Sequence, residues 1–336
     1  MARKLLIATL GTAPAVITEA IDLLTEQNVR PDGVQLLTTM DSDVQESCNL
    51  LLEHLPAHDG IAWVDPVPIA AYGDMDTPDA AVEFMQVACR LLKTYRDAGY
   101  RLFVSIAGGR KAMSALLALG VQFYGAERLF HVWVPPWIEA EGEITNLRKW
   151  KDFPDKINEA LHPSLDVEES DRPRIVDLPF IGLFPLLNDI RAALQGEAAP
   201  PREIKQLLIA NALLTGQGEP TPMGQTVAVI LEGVEGLPPA RQEECKVSIA
   251  KHHFSNRLER FAWELCGRFP YVTKIRSGEW RSGEGKVKVE SPNIIRVFAP
   301  LGTDFPLQLI LTTTATSEGQ LEAARRDVER YLRRRR

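Results

Sequence analysis

Residues 102–125, LFVSIAGGRKAMSALLALGVQFYG, leave the chain few ways to fold. The apolar run over 102–107 has the length and composition of a strand buried on both faces. Gly108 and Gly109 end it, and Arg110 and Lys111 stand where an apolar helix begins. A glycine turn between strand and helix leaves backbone N–H groups exposed at the positive end of the helix dipole. Two cations beside those donors suit a phosphate. Without a ligand, the same tetrapeptide reads as a tight turn carrying two solvated charges.

The preceding hundred residues follow the same grammar. Strands are expected at 4–10, 34–39 and 61–68, and a further one at 129–134. Helices are expected over 14–26, 41–55 and 77–98, the first with Pro14 at its first position and Thr12 placed to cap it. Strand and helix alternating at this spacing predicts an α/β, Rossmann-like, doubly wound parallel sheet. Ligands bind such sheets beyond the carboxyl ends of the strands. Both Gly11-Thr12-Ala13 and Gly108-Gly109-Arg110-Lys111 lie at that edge. Neither loop carries GxGxxG or GxxxxGK[ST], which argues against a dinucleotide dehydrogenase and a P-loop NTPase. Thr12 and the cationic pair instead suit a phosphodiester ligand, with Lys111 and Arg110 on its oxygens.

These residues carry a resemblance. The opening Ile7-Ala8-Thr9-Leu10-Gly11-Thr12-Ala13-Pro14, paired with 105–134, resembles the CARF domains of CRISPR-associated proteins over about the first 150 residues. That likeness implies a homodimer binding cyclic oligoadenylate, most commonly cyclic tetra-adenylate, across its two-fold axis. It also implies that Gly11, Thr12, Ala13, Gly108, Gly109, Arg110 and Lys111 contact the ligand. Some members cleave the ring slowly with a hydroxyl from the first loop and a lysine from the second; here these are Thr12 and Lys111.

Charge divides the chain unequally. The net charge is −7, yet residues 241–336 hold 19 Lys+Arg against 12 Asp+Glu. A basic final third points to a polyanionic partner there and not elsewhere. Four of its cations are the closing 333–336, which also serve as a solubilising tail. No apolar run approaches the ~20 residues that span a bilayer, and the opening residues lack a signal-peptide core, so a cytoplasmic protein without membrane contact is expected. Cys48, Cys89, Cys245 and Cys266 have no CxxC spacing and fall on expected helices, so reduced, structural cysteines are anticipated. The six histidines show no local ligand spacing, and no metal or other cofactor is expected.

Residues 139–174 read as a polar, proline-punctuated connector with an acidic run at 166–171. A strand at 175–182 and helices at 184–194, 202–214 and 223–234 follow. Three short helices permit a winged-helix DNA-binding segment, but few cations lie among them, so a spacer or dimer element is the better reading. The expected organisation is 1–150, 151–240 and 241–336.

The last part changes grammar. A helix at 246–265 precedes strands at 271–275, 286–289, 294–298 and 307–314, and a helix at 320–332 capped by Ser317 closes the chain. This predicts an α+β unit with a small antiparallel sheet, with Lys286 and Lys288 alternating onto one face beside Arg296. The face is either a solvated surface or an RNA site; the charge surplus favours RNA. The order of elements, with Lys-x-Lys followed by an Arg in the next strand, resembles RelE-type mRNA interferases. The likeness implies a ribosome-dependent endoribonuclease in which the RNA 2′-OH attacks the adjacent phosphate. Lys286 or Lys288 would assist deprotonation and Arg296 would neutralise the transition state. A further Arg is implied after the third strand, where this chain has Thr312-Thr313-Thr314. Lys274, Arg276 and Arg281 are candidate RNA contacts; His252 and His253 are reserves that also fit a helix surface.

Together the two likenesses imply an ancillary ribonuclease of type III CRISPR defence. Its activator is cyclic oligoadenylate and its target is mRNA on the ribosome, with the ribosomal stalk or another translation component as a further partner. A ligand-responsive transcription regulator and a stand-alone ring nuclease with a structural C-terminal unit are the alternatives.

Overall fold

The computed structural model describes residues 2–69, 74–196, 199–241, 243–250, 255–278, 287–291, 293–300, 306–316 and 318–334. The chain divides into two compact units, Met1–Leu231 and Glu232–Arg336.

Unit 1 alternates β1 (Lys4–Thr9), α1 (Ala15–Glu26), β2 (Gly33–Thr38), α2 (Ser42–His54), β3 (Trp63–Pro68), α3 (Pro78–Asp97), β4 (Arg101–Ser105), α4 (Lys111–Tyr124) and β5 (Arg128–Trp133). Caps explain several starts: the Asp41 carboxylate accepts from the Asp43 and Val44 amides, and the Thr77 hydroxyl from Ala80, with Pro78 inside the first turn. The five strands are parallel, in the order β3-β2-β1-β4-β5. Leu5, Leu6, Ile7 and Ala8 of β1 are wholly buried, which is what unbroken apolar strands require. Helices α1 and α2 share one core with β1 and β2, and α3 packs on α4. The doubly wound sheet expected from the strand–helix alternation is therefore present.

Beyond β5 come α5 (Pro136–Glu141), α6 (Ile144–Leu147), a 3-10 turn at Arg148–Trp150 and α7 (Pro154–Leu161). The sequence reads this stretch as a connector, because helices this short show too little periodicity to register. It is instead part of unit 1. Ala15, Ile144, Leu147, Ala160 and Leu161 form a small core, and Arg148 pairs with Asp43 and Glu46 of α2. Strand β6 (Arg174–Asp177) then joins the sheet antiparallel to β5. A 3-10 turn at Phe184–Leu186, α8 (Leu187–Gln195), α9 (Arg202–Ala210) and α10 (Pro222–Glu235) follow.

Unit 2 contains β7 (Lys246–Ser248), α11 (Ser255–Arg268), β8 (Val272–Ser277), β9 (Val287–Ser291), β10 (Ile294–Pro300), β11 (Pro306–Thr313) and α12 (Glu318–Arg334). Its sheet runs β7-β8-β11-β10-β9. Two expectations fail here. The helix begins at Ser255, because 246–248 pairs parallel with β8, so the sheet is mixed and not purely antiparallel. Cys245, just before β7, is disulfide-bonded to Cys266 of α11, where their Cα atoms lie 6.1 Å apart. Sequence spacing reveals only local pairs and missed a contact made by the fold; Cys48 and Cys89 are buried.

In unit 1 the loops after β1 and β4 meet backbone to backbone. A Cβ at Gly108 would stand 2.3 Å from the Thr9 carbonyl oxygen and 3.0 Å from Val16 Cγ1. Gly108→Ala is therefore expected to lose about 2 kcal/mol or more of stability, read as a lower urea midpoint. Gly216→Ala, whose Cβ would meet nothing within 4 Å, serves as the control. Equal midpoints for the two variants would refute the close-packing argument.

Candidate functional site

Strand β1 lies between β2 and β4, so the connections from β1 and β4 leave towards opposite sides of the sheet. This reversal point is where open α/β sheets bind ligands. The two loops are tied there: the Thr9 hydroxyl donates to the Gly108 carbonyl at 2.6 Å, and a Cβ on Gly11 would lie 3.0 Å from the Gly109 nitrogen. Gly109 has φ +76°, a conformation that disfavours any side chain.

A cleft of about 400 Å³ opens beside them. Gly11, Thr12, Ala13, Gly108 and Gly109, five of the seven residues read from the sequence as ligand contacts, are among its lining residues. Arg110 and Lys111 are not among the lining residues. Arg110 precedes α4 and Lys111 opens it, both exposed, with Arg110 Nε 3.2 Å from Asp74 Oδ1. Helix α1 begins at Ala15, so Pro14 and not Thr12 is the cap residue, and no side chain caps it. The Thr12 carbonyl accepts from the Ile144 amide at 2.7 Å, which fixes the loop against α6.

The far wall holds residues that sequence reading missed: Glu19 from α1, His131 and Trp133 from β5, and Glu139 and Glu143 from the 136–147 segment. Glu19 had a visible signal, since an acid on the apolar stripe of AVITEAIDLL demands a reason for burial. Glu139 and Glu143 had none, because their segment reads as connector. The charged lining side chains are thus acidic, while the cations stand outside. A phosphate placed at α4 and a sugar or base placed in the cleft would each meet matching chemistry: cations and N–H donors for one, hydrogen-bond acceptors for the other.

Glu19 is 3% exposed, and burial, followed by the charges of Asp22 and Glu139, pushes its carboxyl up to about 7. In the unfolded chain it titrates near 4.5. The folded state therefore holds a proton that the unfolded state releases, and stability falls as pH rises from about 4.5 through about 7. Glu19→Gln removes a penalty on the order of 3 kcal/mol that is complete only above pH 7. The variant is expected to melt increasingly above the wild type from pH 5 to pH 8; a pH-independent difference would refute this assignment.

In unit 2, strand register gathers the basic residues. Lys288 pairs with Arg296, Arg296 with Ile310, and Ile310 with Arg276. Two residues along, Lys274 pairs with Thr312 and Lys246. Side-chain alternation puts Lys246, Lys274, Arg276, Lys288 and Arg296 on one face. Opposite them, Ile275, Ile295, Val297, Leu309 and Leu311 are buried, and α11 and α12 pack on this sheet. Lys274, Arg276 and Lys288 are exposed. Arg296 is held: its Nε and Nη2 donate to Glu290 at 2.5 and 2.9 Å, and its Nη1 to Gln308 at 3.2 Å. Sequence reading missed Lys246 because it was assigned to a helix. Lys286, Arg281, His252, His253 and Ser317 lie outside the described residues.

No curated protein matches the sequence. Among solved structures, Csm6 of Enterococcus italicus, bound to cyclic hexa-2′-fluoro-hexa-dAMP, is 13% identical with a TM-score of 0.37. That likeness covers 69% of this chain and 52% of the Csm6 chain, so this chain spans about half the length of that relative. Protein VC1899 of Vibrio cholerae is 9% identical with a TM-score of 0.30, covering 93% of this chain and 77% of that one. Scores this low carry no argument about fold or activity. A family model does match, that of CRISPR-associated protein NE0113, over residues 13–212, which takes in the Gly108–Lys111 loop and the acidic wall but stops short of unit 2. That match spans well over half of the sequence, and the chain belongs to the CRISPR-associated NE0113 family.

Proposed function

We propose that this protein is a cyclic-oligoadenylate-activated ribonuclease of type III CRISPR defence, with a CARF-type sensor in unit 1 and a RelE-like effector in unit 2. The observation that carries the sensor reading is the pairing of the Gly11 and Gly108-Gly109 loops at the sheet's reversal point, beside Arg110 and Lys111. Phosphates of the ring meet the first-turn amides of α4 and the two cations. Ribose hydroxyls and the adenine amino group donate to the acidic wall. A homodimer presents two such sites to one ring, and cyclic tetra-adenylate is the ring first expected. Binding shifts activity only if the ring favours one dimer state over the other.

The effector reading rests on the cationic face of the second sheet. RNA runs across a row about 14 Å wide, three strand spacings, from Arg276 to Lys288. The 2′-OH attacks the neighbouring phosphate, its proton passing to the neutral amine form of Lys286 or Lys288, and the P–O5′ bond breaks, the leaving 5′-oxygen taking a proton from water to give a cyclic phosphate and a free 5′-hydroxyl. Arg296, fixed by Glu290, offsets the charge that builds on the phosphate. The ribosome supplies alignment of the mRNA, which suits a site with no histidine acid–base pair among its described residues. Thr12 and Lys111 give the sensor a slow ring-cleaving activity of its own, which limits the response.

Two experiments test these parts separately. In calorimetry with cyclic tetra- and hexa-adenylate, Arg110→Ala with Lys111→Ala is expected to weaken binding at least about tenfold, as loss of two charge-assisted contacts implies. Failure of the wild type to bind any ring would end the sensor reading. In a translating extract supplied with the ring, mapped mRNA ends are expected to appear with wild type and to fall about 100-fold or more with Lys288→Ala and Arg296→Ala. Unchanged cutting by that double variant would remove the RelE-like site. No cutting by wild type that still binds the ring would favour the regulator or the stand-alone ring nuclease.

A further inference from the structure

Three side chains from two separate stretches of the chain converge in unit 1 outside the cleft. His54 ends α2, and His162 follows the last residue of α7. Their Nε2 atoms are 2.8 Å apart, and their rings are 5.1 Å apart between centroids. Asp59 joins them through a local irregularity: α2 continues into a π-helical turn over Leu55–Asp59, stopped by Gly60 at φ +58°. In an ordinary α-helix, positions 54 and 59 would point about 140° apart. The wider π-turn brings Asp59 back towards His54, and such turns recur at functional positions. The Asp59 carboxylate lies 3.8 Å from His162 Nε2, and the three donor atoms all fall within 4.8 Å of one another.

We propose that His54, Asp59 and His162 form a binding site for one divalent transition-metal ion of the Zn²⁺ class. Ligand atoms about 2.0–2.1 Å from a tetrahedral zinc lie about 3.3 Å from each other, and the observed 2.8 and 3.8 Å bracket that spacing. The donor set, two imidazoles and one carboxylate, is that of sites with an open fourth position for water or an exogenous ligand. Side-chain exposures of 20% for His162 and 10% for Asp59 leave the cluster shielded yet reachable.

A further partner completes the arrangement. Asp22 of α1 accepts from His162 Nδ1 at 2.8 Å, which directs the Nε2 lone pair towards His54 and Asp59. Carboxylates commonly hold metal-bound histidines in this way. The Thr18 hydroxyl donates to the Leu161 carbonyl and keeps the end of α7 against α1. The site therefore clamps α2, α7 and α1, the last being the helix that carries Glu19 into the cleft. The competing account of the same geometry is a pair of imidazoles sharing a proton.

Zn²⁺ titrated into chelator-stripped full-length protein, against a chromophoric competitor, distinguishes the two. One equivalent is expected to bind, with about 10- to 100-fold weaker affinity in Asp22→Asn and none detectable when His54 and His162 are both changed to Gln. Co²⁺ in the same site is expected to give the visible absorption of tetrahedral coordination. Should the double variant fail to fold, the stripped wild type alone decides, through a Tm that rises with Zn²⁺. A wild type that neither binds Zn²⁺ nor gains in Tm would overturn the site in favour of the shared proton. Binding that survives the double substitution would overturn it as well.

Discussion

The close approach of two backbones at the end of β1 is the constraint on which unit 1 depends. Gly108 sits against the Thr9 carbonyl, Gly11 against the Gly109 amide, and the Thr9 hydroxyl is satisfied by the Gly108 carbonyl. A side chain at Gly108 would separate the strands it joins. Because β1 and β4 are neighbours whose connections diverge, the same contact both closes the core and leaves a cleft beyond it. Packing and binding surface arise here from one geometric fact.

Around that cleft, charge is sorted by position. Arg110 and Lys111 occupy the exposed start of α4 outside it, whereas buried Glu19, half-buried Glu143 and exposed Glu139 line it. A low-polarity environment resists ionisation, which is why the Glu19 carboxyl holds its proton to about 7. Below that pH the cleft is less negative and more tolerant of a phosphate nearby. The family match covers the second loop and this wall together, so the arrangement belongs to the part of the chain that defines the family. Unit 2 obeys a different logic. Its basic residues gain their alignment from strand register, and Glu290 holds Arg296 in place among them.

Several features were legible because they are local. The βα alternation, the helix starts near Asp41 and Thr77, the two glycine loops and the CRISPR-associated family likeness all follow from short stretches of residues. Misreadings occurred where long-range contacts outweighed local preference. The segment after β5 looked like a linker because α5 to α7 are too short to show a stripe, yet Ile144, Leu147 and Leu161 bury a core against α1. Residues 246–248 fit a helical pattern but gain more from pairing with β8. Cys245 and Cys266 looked like isolated thiols until the chain returned upon itself.

The sequence by itself determined the parallel sheet, the places where its loops carry glycine and cation, and the basic character of the final third, since periodicity, turn chemistry and charge are properties of neighbours along the chain. Only the tertiary structure decided what those loops face. Glu19, Glu139 and Glu143 converge across 124 positions of sequence, and His54, Asp59 and His162 across 108. Such groupings depend on how helices pack on a sheet, and packing is set by the sum of many buried contacts that no short window of residues contains.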